Sequence, residues 1–97
     1  MSTYFVTAEF RRMLRGLSSA DRARFTIAVR KLVEGLASGR LQNSLRVKRV
    51  QGTEKAWEMT WAPNGRAMFE YGRELKPGHA HIVWLRIGGH EIFGKEQ

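Results

Sequence analysis

Residues 57–71 read WEMTWAPNGRAMFEY and residues 81–93 read HIVWLRIGGHEIF. In the first stretch Trp57, Met59 and Trp61 alternate with Glu58 and Thr60. After Pro63-Asn64-Gly65, the residues Ala67, Phe69 and Tyr71 alternate with Arg66, Met68 and Glu70. A period of two on both sides of a Pro/Asn/Gly turn predicts a β-hairpin with one buried and one wet face. Glu58, Arg66 and Glu70 belong to the wet face, and a histidine, His90, follows the next strand.

Working outward, Lys76-Pro77-Gly78 is the turn before a last strand near His81 to Ile87. Its alternation puts Val83, Leu85 and Ile87 on one side and Ile82, Trp84 and Arg86 on the other. Upstream, residues 45–50 alternate less cleanly and are read as a further strand. Tyr4-Phe5-Val6 is a short strand candidate at the N-terminus. Between these lie two helical patterns. Thr7 stands at an N-cap position before Phe10, Met13, Leu14 and Leu17, spaced i, i+3, i+4, i+7. Ser18, with Asp21 three residues on, opens a second helix with the stripe Phe25, Ala28, Val29, Leu32 and Leu36, and Gly39 is its stop. Two short amphipathic helices are unstable alone and must lay their stripes on the sheet. The expected fold is α+β: an N-terminal strand and a two-helix antiparallel hairpin packed on one face of a twisted, mostly antiparallel four-stranded sheet. With the aromatic positions of the hairpin turned to the helices, the opposite face collects Arg46, Lys48, Glu58, Thr60, Arg66, Glu70, Trp84 and Arg86.

Ninety-seven residues suffice for one domain, here spanning 1–97, with a single core. There is no cysteine, so neither a disulfide framework nor a thiolate metal site is available. No apolar run is long enough to span a bilayer or to form a signal core, so a soluble, cytoplasmic protein with no membrane partner is expected. The net charge of +8 is uneven: residues 1–50 hold eleven Lys/Arg against three carboxylates, whereas residues 51–97 hold six of each. Such asymmetry suits a polyanion or an acidic protein partner.

The leading strand, the helical pair, LRVKRVQG, the Gly-Arg that begins the third sheet strand and the Gly-His-x-x-Phe ending together resemble the RelE/ParE superfamily of toxins from bacterial type II toxin–antitoxin systems. The resemblance runs from about Tyr4 to Phe93. It implies a RelE-like fold, a cognate antitoxin protein as partner, and one of two activities. RelE-like members are endoribonucleases (mRNA interferases) that cut mRNA in the ribosomal A site and so inhibit translation. ParE-like members are non-enzymatic inhibitors of DNA gyrase. His90 matches the position where several nuclease members carry a catalytic histidine. Phe93 occupies the place of an aromatic that is a tyrosine in others; it can stack a base but has no hydroxyl.

The residue types suit metal-independent RNA cleavage. One group must take the 2′-hydroxyl proton, another must protonate the leaving 5′-oxygen, and cations must hold the charge growing on phosphorus. An imidazole, unperturbed near about pKa 6.5, serves either proton step. Arg66 offers a planar fork of donors for phosphate oxygens. Glu58 is a second proton acceptor or else the ion-pair partner of Arg66. Lys48 and Arg49 are expected phosphate contacts, with Arg46 and Arg86 adding field and Phe93 stacking. Each has a plainer reading: His90 capping a strand end, Arg66 tying the hairpin to Glu58 or Glu70, Lys48 guarding a sheet edge. His79 and His81, beside the Pro-Gly turn, are read as solvent-exposed. Trp84 is the tryptophan with a prospect of meeting a base. Asp21 is the sole aspartate and no carboxylate cluster accompanies His90, so neither a metal nor another cofactor is expected.

Overall fold

The computed structural model describes residues 2–89. Its elements are β1 (Thr3–Val6), α1 (Ala8–Arg15), α2 (Ser19–Ser38), a helical turn at Asn43–Leu45, β2 (Lys48–Arg49), β3 (Trp57–Ala62), β4 (Gly65–Tyr71) and β5 (His81–Gly88). The helix ends follow from local hydrogen bonding. Thr7 Oγ1 accepts from the Phe10 amide at 3.1 Å, and Ser18 Oγ accepts from the Asp21 amide at 3.1 Å. Each hydroxyl satisfies a donor that the first turn leaves orphaned. Gly39 ends α2 with φ at +80°, a conformation that a side chain disfavours.

The sheet has five strands in the order β1-β5-β4-β3-β2. The N-terminal strand therefore joins the sheet as its fifth member, parallel to β5, while every other neighbouring pair is antiparallel. A parallel neighbour cannot be reached by a tight hairpin, and the helical pair lies in the long connection between the two. Both helices cover one face. Phe10 from α1 and Phe25, Ala28 and Leu32 from α2 are buried with Met59, Trp61, Ala67, Phe69, Ile82, Trp84 and Ile87 from the strands. Among the described residues no helix is long and apolar enough to cross a membrane.

Three local expectations need correction. The strand read over residues 45–50 shrinks to Lys48–Arg49. Leu45 instead ends a helical turn with its side chain buried in the core, and Arg46 takes a left-handed φ of 48° to leave that turn. Burying Leu45 under α2 outweighs the strand pairing that is lost.

The second correction concerns β5. Its ladder with β4 pairs Phe69 with Trp84 but Met68 with Arg86, so Leu85 is an extra residue, a β-bulge. The bulge resets the alternation. Ile82 and Trp84 before it and Ile87 after it all face the helices, whereas Val83 and Arg86 share rows with Glu70 and Met68 on the other face. Trp84 is thus a core residue, 4 % exposed, and not the open-face tryptophan that unbroken alternation implies. His79 and His81 also depart from their expected exposure: both are half-buried, and His81 Nδ1 lies 2.7 Å from Thr3 Oγ1.

The bulge makes a measurable distinction. Trp84→Ala should cost about 3–5 kcal/mol in urea unfolding, and Val83→Ala about 1 kcal/mol, because its side chain is only half-buried. Equal losses would show that the phase of β5 is wrong.

Candidate nucleic-acid interface

Residues opposite each other in an antiparallel ladder point to the same side of the sheet. Across β2–β3–β4–β5 one row reads Lys48, Glu58, Met68, Arg86, and the next reads Thr60, Arg66, Gly88. These rows lie on the face away from the helices. Four of the residues expected to act on RNA are therefore brought together on adjacent rows: Lys48, Glu58, Arg66 and Arg86.

Their side chains are already committed to different degrees. Glu58 pairs with Lys48 at 3.5 Å, its own side chain largely covered and that of Lys48 well exposed. With one partner in water, such a pair contributes at most about 1 kcal/mol. It does neutralise the one carboxylate in these two rows, leaving Arg66 and Arg86 as their excess charge. Arg86 reaches Glu9 at the start of α1, with Nη1 3.6 Å from the carboxylate. The buried Nε of Arg86 has no hydrogen-bond partner among the described residues.

Arg66 folds back over its own turn. Nη1 donates to the carbonyls of Gly65 at 2.9 Å, Ala62 at 3.3 Å and Pro63 at 3.4 Å. Pairing with Glu58 or Glu70 is not what holds it. Nε and Nη2 make no hydrogen bond among the described residues, so one edge of the guanidinium is anchored and the other is available. The turn itself is tied to the core at Gly65, where an added Cβ would stand 2.5 Å from the ring of Trp61. Only a residue without a side chain permits that approach.

The remaining candidates separate. Arg49 lies opposite Trp57, on the other face from Lys48. Its guanidinium sits 5.4 Å above the Trp57 ring and donates to the Glu54 carbonyl. Arg46, outside any strand, lines a cleft of about 610 Å³ that also includes Arg66. His90 and Phe93 lie outside the described residues. The chain reaches His90 through Gly88, the ladder partner of Arg66, and Gly89. Among the described residues no group of three His, Asp or Glu is placed to hold a metal ion.

Two cations of α2 outside its apolar stripe also reach the cleft. Arg24 and Lys31 line it together with Ile27 and Ala28. The spacing 24, 27, 28, 31 marks one helix face bordering the core stripe, and that was the available signal. What it borders depends on where the Asn43–Leu45 turn packs.

No protein-family model matches this sequence, and no curated protein does. Solved structures do match over nearly the whole chain. YafQ from Escherichia coli strain BL21(DE3) superposes with a TM-score of 0.66 at 11 % identity, covering 97 % of this chain and 100 % of that one. A metal-bound toxin from Helicobacter pylori gives 0.64 at 18 % identity, with coverage of 97 % and 100 %. The RelB–RelE antitoxin–toxin complex from Methanococcus jannaschii gives 0.61 at 16 % identity, with coverage of 91 % and 92 %. The chain thus has the RelE-like toxin fold, two helices on one face of a mixed sheet. At these identities the likeness is one of architecture.

Because Arg66 holds three carbonyls of its turn, Arg66→Ala should lower stability by about 1–3 kcal/mol in urea unfolding, with Arg66→Lys recovering only part of it. Unchanged stability in both variants would mean that the guanidinium does not brace the turn.

Proposed function

We propose that this protein is the toxin of a type II toxin–antitoxin pair and acts in the cytoplasm as a metal-independent endoribonuclease on ribosome-bound mRNA. A protein antitoxin holds it silent. The observation that carries this reading is the half-anchored guanidinium of Arg66 on the helix-free face, beside the strand end that leads to His90. The RelE-like fold supports the toxin role, and the antitoxin in the Methanococcus jannaschii complex supports the kind of partner.

In this reading the RNA 2′-oxygen attacks the adjacent phosphorus as its proton leaves. The P–O5′ bond then breaks, giving a 2′,3′-cyclic phosphate and a 5′-hydroxyl. His90 is the general acid or base, and in this sequence it must do that work without a tyrosine hydroxyl at position 93. Glu58 is the proton acceptor for the 2′-hydroxyl once substrate phosphate draws Lys48 from it, which leaves His90, as an imidazolium, to protonate the leaving 5′-oxygen. Arg66 keeps Nη1 on the turn and turns Nε and Nη2 to the charge growing on the phosphoryl oxygens, a preorganised donor that needs no reorientation. Lys48, Arg46 and Arg86 add phosphate contacts, and Phe93 stacks a base. Arg49 contributes only if it leaves Trp57.

Added to a cell-free translation extract, the protein should arrest synthesis and leave mRNA fragments ending in 2′,3′-cyclic phosphate. His90→Ala should slow cleavage by about 10²–10⁴-fold and Arg66→Ala by about 10²–10³-fold. Full toxicity in both variants would remove this site, and gyrase inhibition without RNA cleavage would overturn the nuclease reading.

A further inference from the structure

β2 pairs only with Trp57 and Glu58 of β3, so residues 59–62 have no strand on their outer side. The gap is the cleft that holds Arg46 and Arg66. α2 contributes Arg24 and Lys31 to it, the helical turn contributes Asn43 and Ser44, and Thr60 comes from the exposed edge of β3. Four of its lining residues are cationic and none is a carboxylate. A second cleft of about 640 Å³ shares Arg24, Trp61, Ala62 and Pro63 with it, adds the carboxylate of Asp21, and continues past the β3–β4 turn to Gly88 and Gly89. Together they make one groove that starts between Lys31 and Arg46, bends round the turn, and ends at the residue before His90.

The charges in this groove are poorly compensated. Arg24 pairs with Asp21 at 2.7 Å. Lys31, half-buried, and Arg46 make no side-chain hydrogen bond or ion pair among the described residues, and Arg66 keeps two nitrogens unused. Unpaired like charges in a concavity repel one another and raise the local concentration of anions. The carbonyls of Ala62, Pro63 and Gly65 at its bend are already taken by Arg66. Across the groove four cations, Arg24, Lys31, Arg46 and Arg66, face one carboxylate, Asp21, a surface matched to a ligand with successive anionic groups.

We propose that this groove is a phosphodiester track. It binds the backbone of single-stranded RNA over successive phosphates and leads the strand to Arg66, with Arg24, Lys31 and Arg46 as binding residues rather than catalytic ones. The inference rests on the reading of the protein as one that acts on RNA, and it adds Arg24 and Lys31 to the residues that meet the substrate.

The test uses a fluorescent, fully 2′-O-methylated oligouridylate of about 12 nucleotides, which cannot be cut because its nucleophile is blocked. Anisotropy titrations compare the wild-type chain with Lys31→Gln, Arg46→Gln and their double variant. Arg15→Gln and Lys76→Gln, outside the groove, remove the same charge elsewhere. The double variant should bind about tenfold more weakly near 0.1 M salt, and its slope of log K against log salt should fall by about 1.4, two phosphate contacts at about 0.7 each. The outside variants should leave the slope unchanged. Equal weakening by groove and outside variants overturns the track. Loss of binding to polyglutamate with RNA binding intact overturns it too, in favour of an acidic protein segment. Groove-dependent RNA binding by a protein that cleaves nothing would remove the nuclease reading and leave this one standing.

Discussion

The indole of Trp84 lies 5.2 Å from the ring of Phe25, 5.6 Å from Phe10 and 5.4 Å from Phe69, so one side chain joins both helices to the middle of the sheet. Each helix has only one apolar stripe, and α1 is eight residues long. Such helices persist because their stripe is buried and not because of intrinsic propensity. Trp84 reaches this position through the extra residue at Leu85, which keeps Ile82, Trp84 and Ile87 on the helix side of a single strand. Burial of all three on one face relieves the other face of any packing duty. It can then carry Lys48, Glu58, Arg66 and Arg86 at little cost in stability.

In the proposed reading, function and packing meet most closely at the β3–β4 turn. Trp61 belongs to the core, yet it walls both parts of the basic groove, and its ring fills the space a side chain at Gly65 would need. Arg66 follows directly and spends one nitrogen on the turn. The direction of its free edge is thus set by a tightly packed, hydrogen-bonded loop. Preorganisation of this kind keeps a charged donor aimed at a developing charge without an entropic cost at the moment of reaction. On that reading a change at the turn would disturb stability and chemistry together.

The uneven charge acquires a place in the fold. The excess cations belong to the first half of the chain, and three of them, Arg24, Lys31 and Arg46, border the cleft into which the neutral second half inserts Arg66. Composition alone suits an anionic partner without placing it. Which of the eleven early cations face one another is a property of the packing of α2, the Asn43–Leu45 turn and the edge of β3. Arg49 shows the limit of a strand-wise count: adjacent to Lys48, it points to the opposite face and rests on Trp57.

From residue order alone came the features held by neighbours in the chain. Thr7, Ser18 and Gly39 mark helix ends because capping bonds span three or four residues, and the β3–β4 hairpin is legible because alternation and a Pro-Asn-Gly turn are local signals. The pairing of Glu58 and Arg66 with one face followed from the same alternation. Tertiary structure decided the rest. A bulge in β5 depends on how β4 pairs with it, the late start of β2 depends on the burial of Leu45 under α2, and the edge position of β1 depends on a strand about eighty residues away. Each is a contact between distant segments whose free energy outweighs the local pattern, and a linear reading contains no term for it.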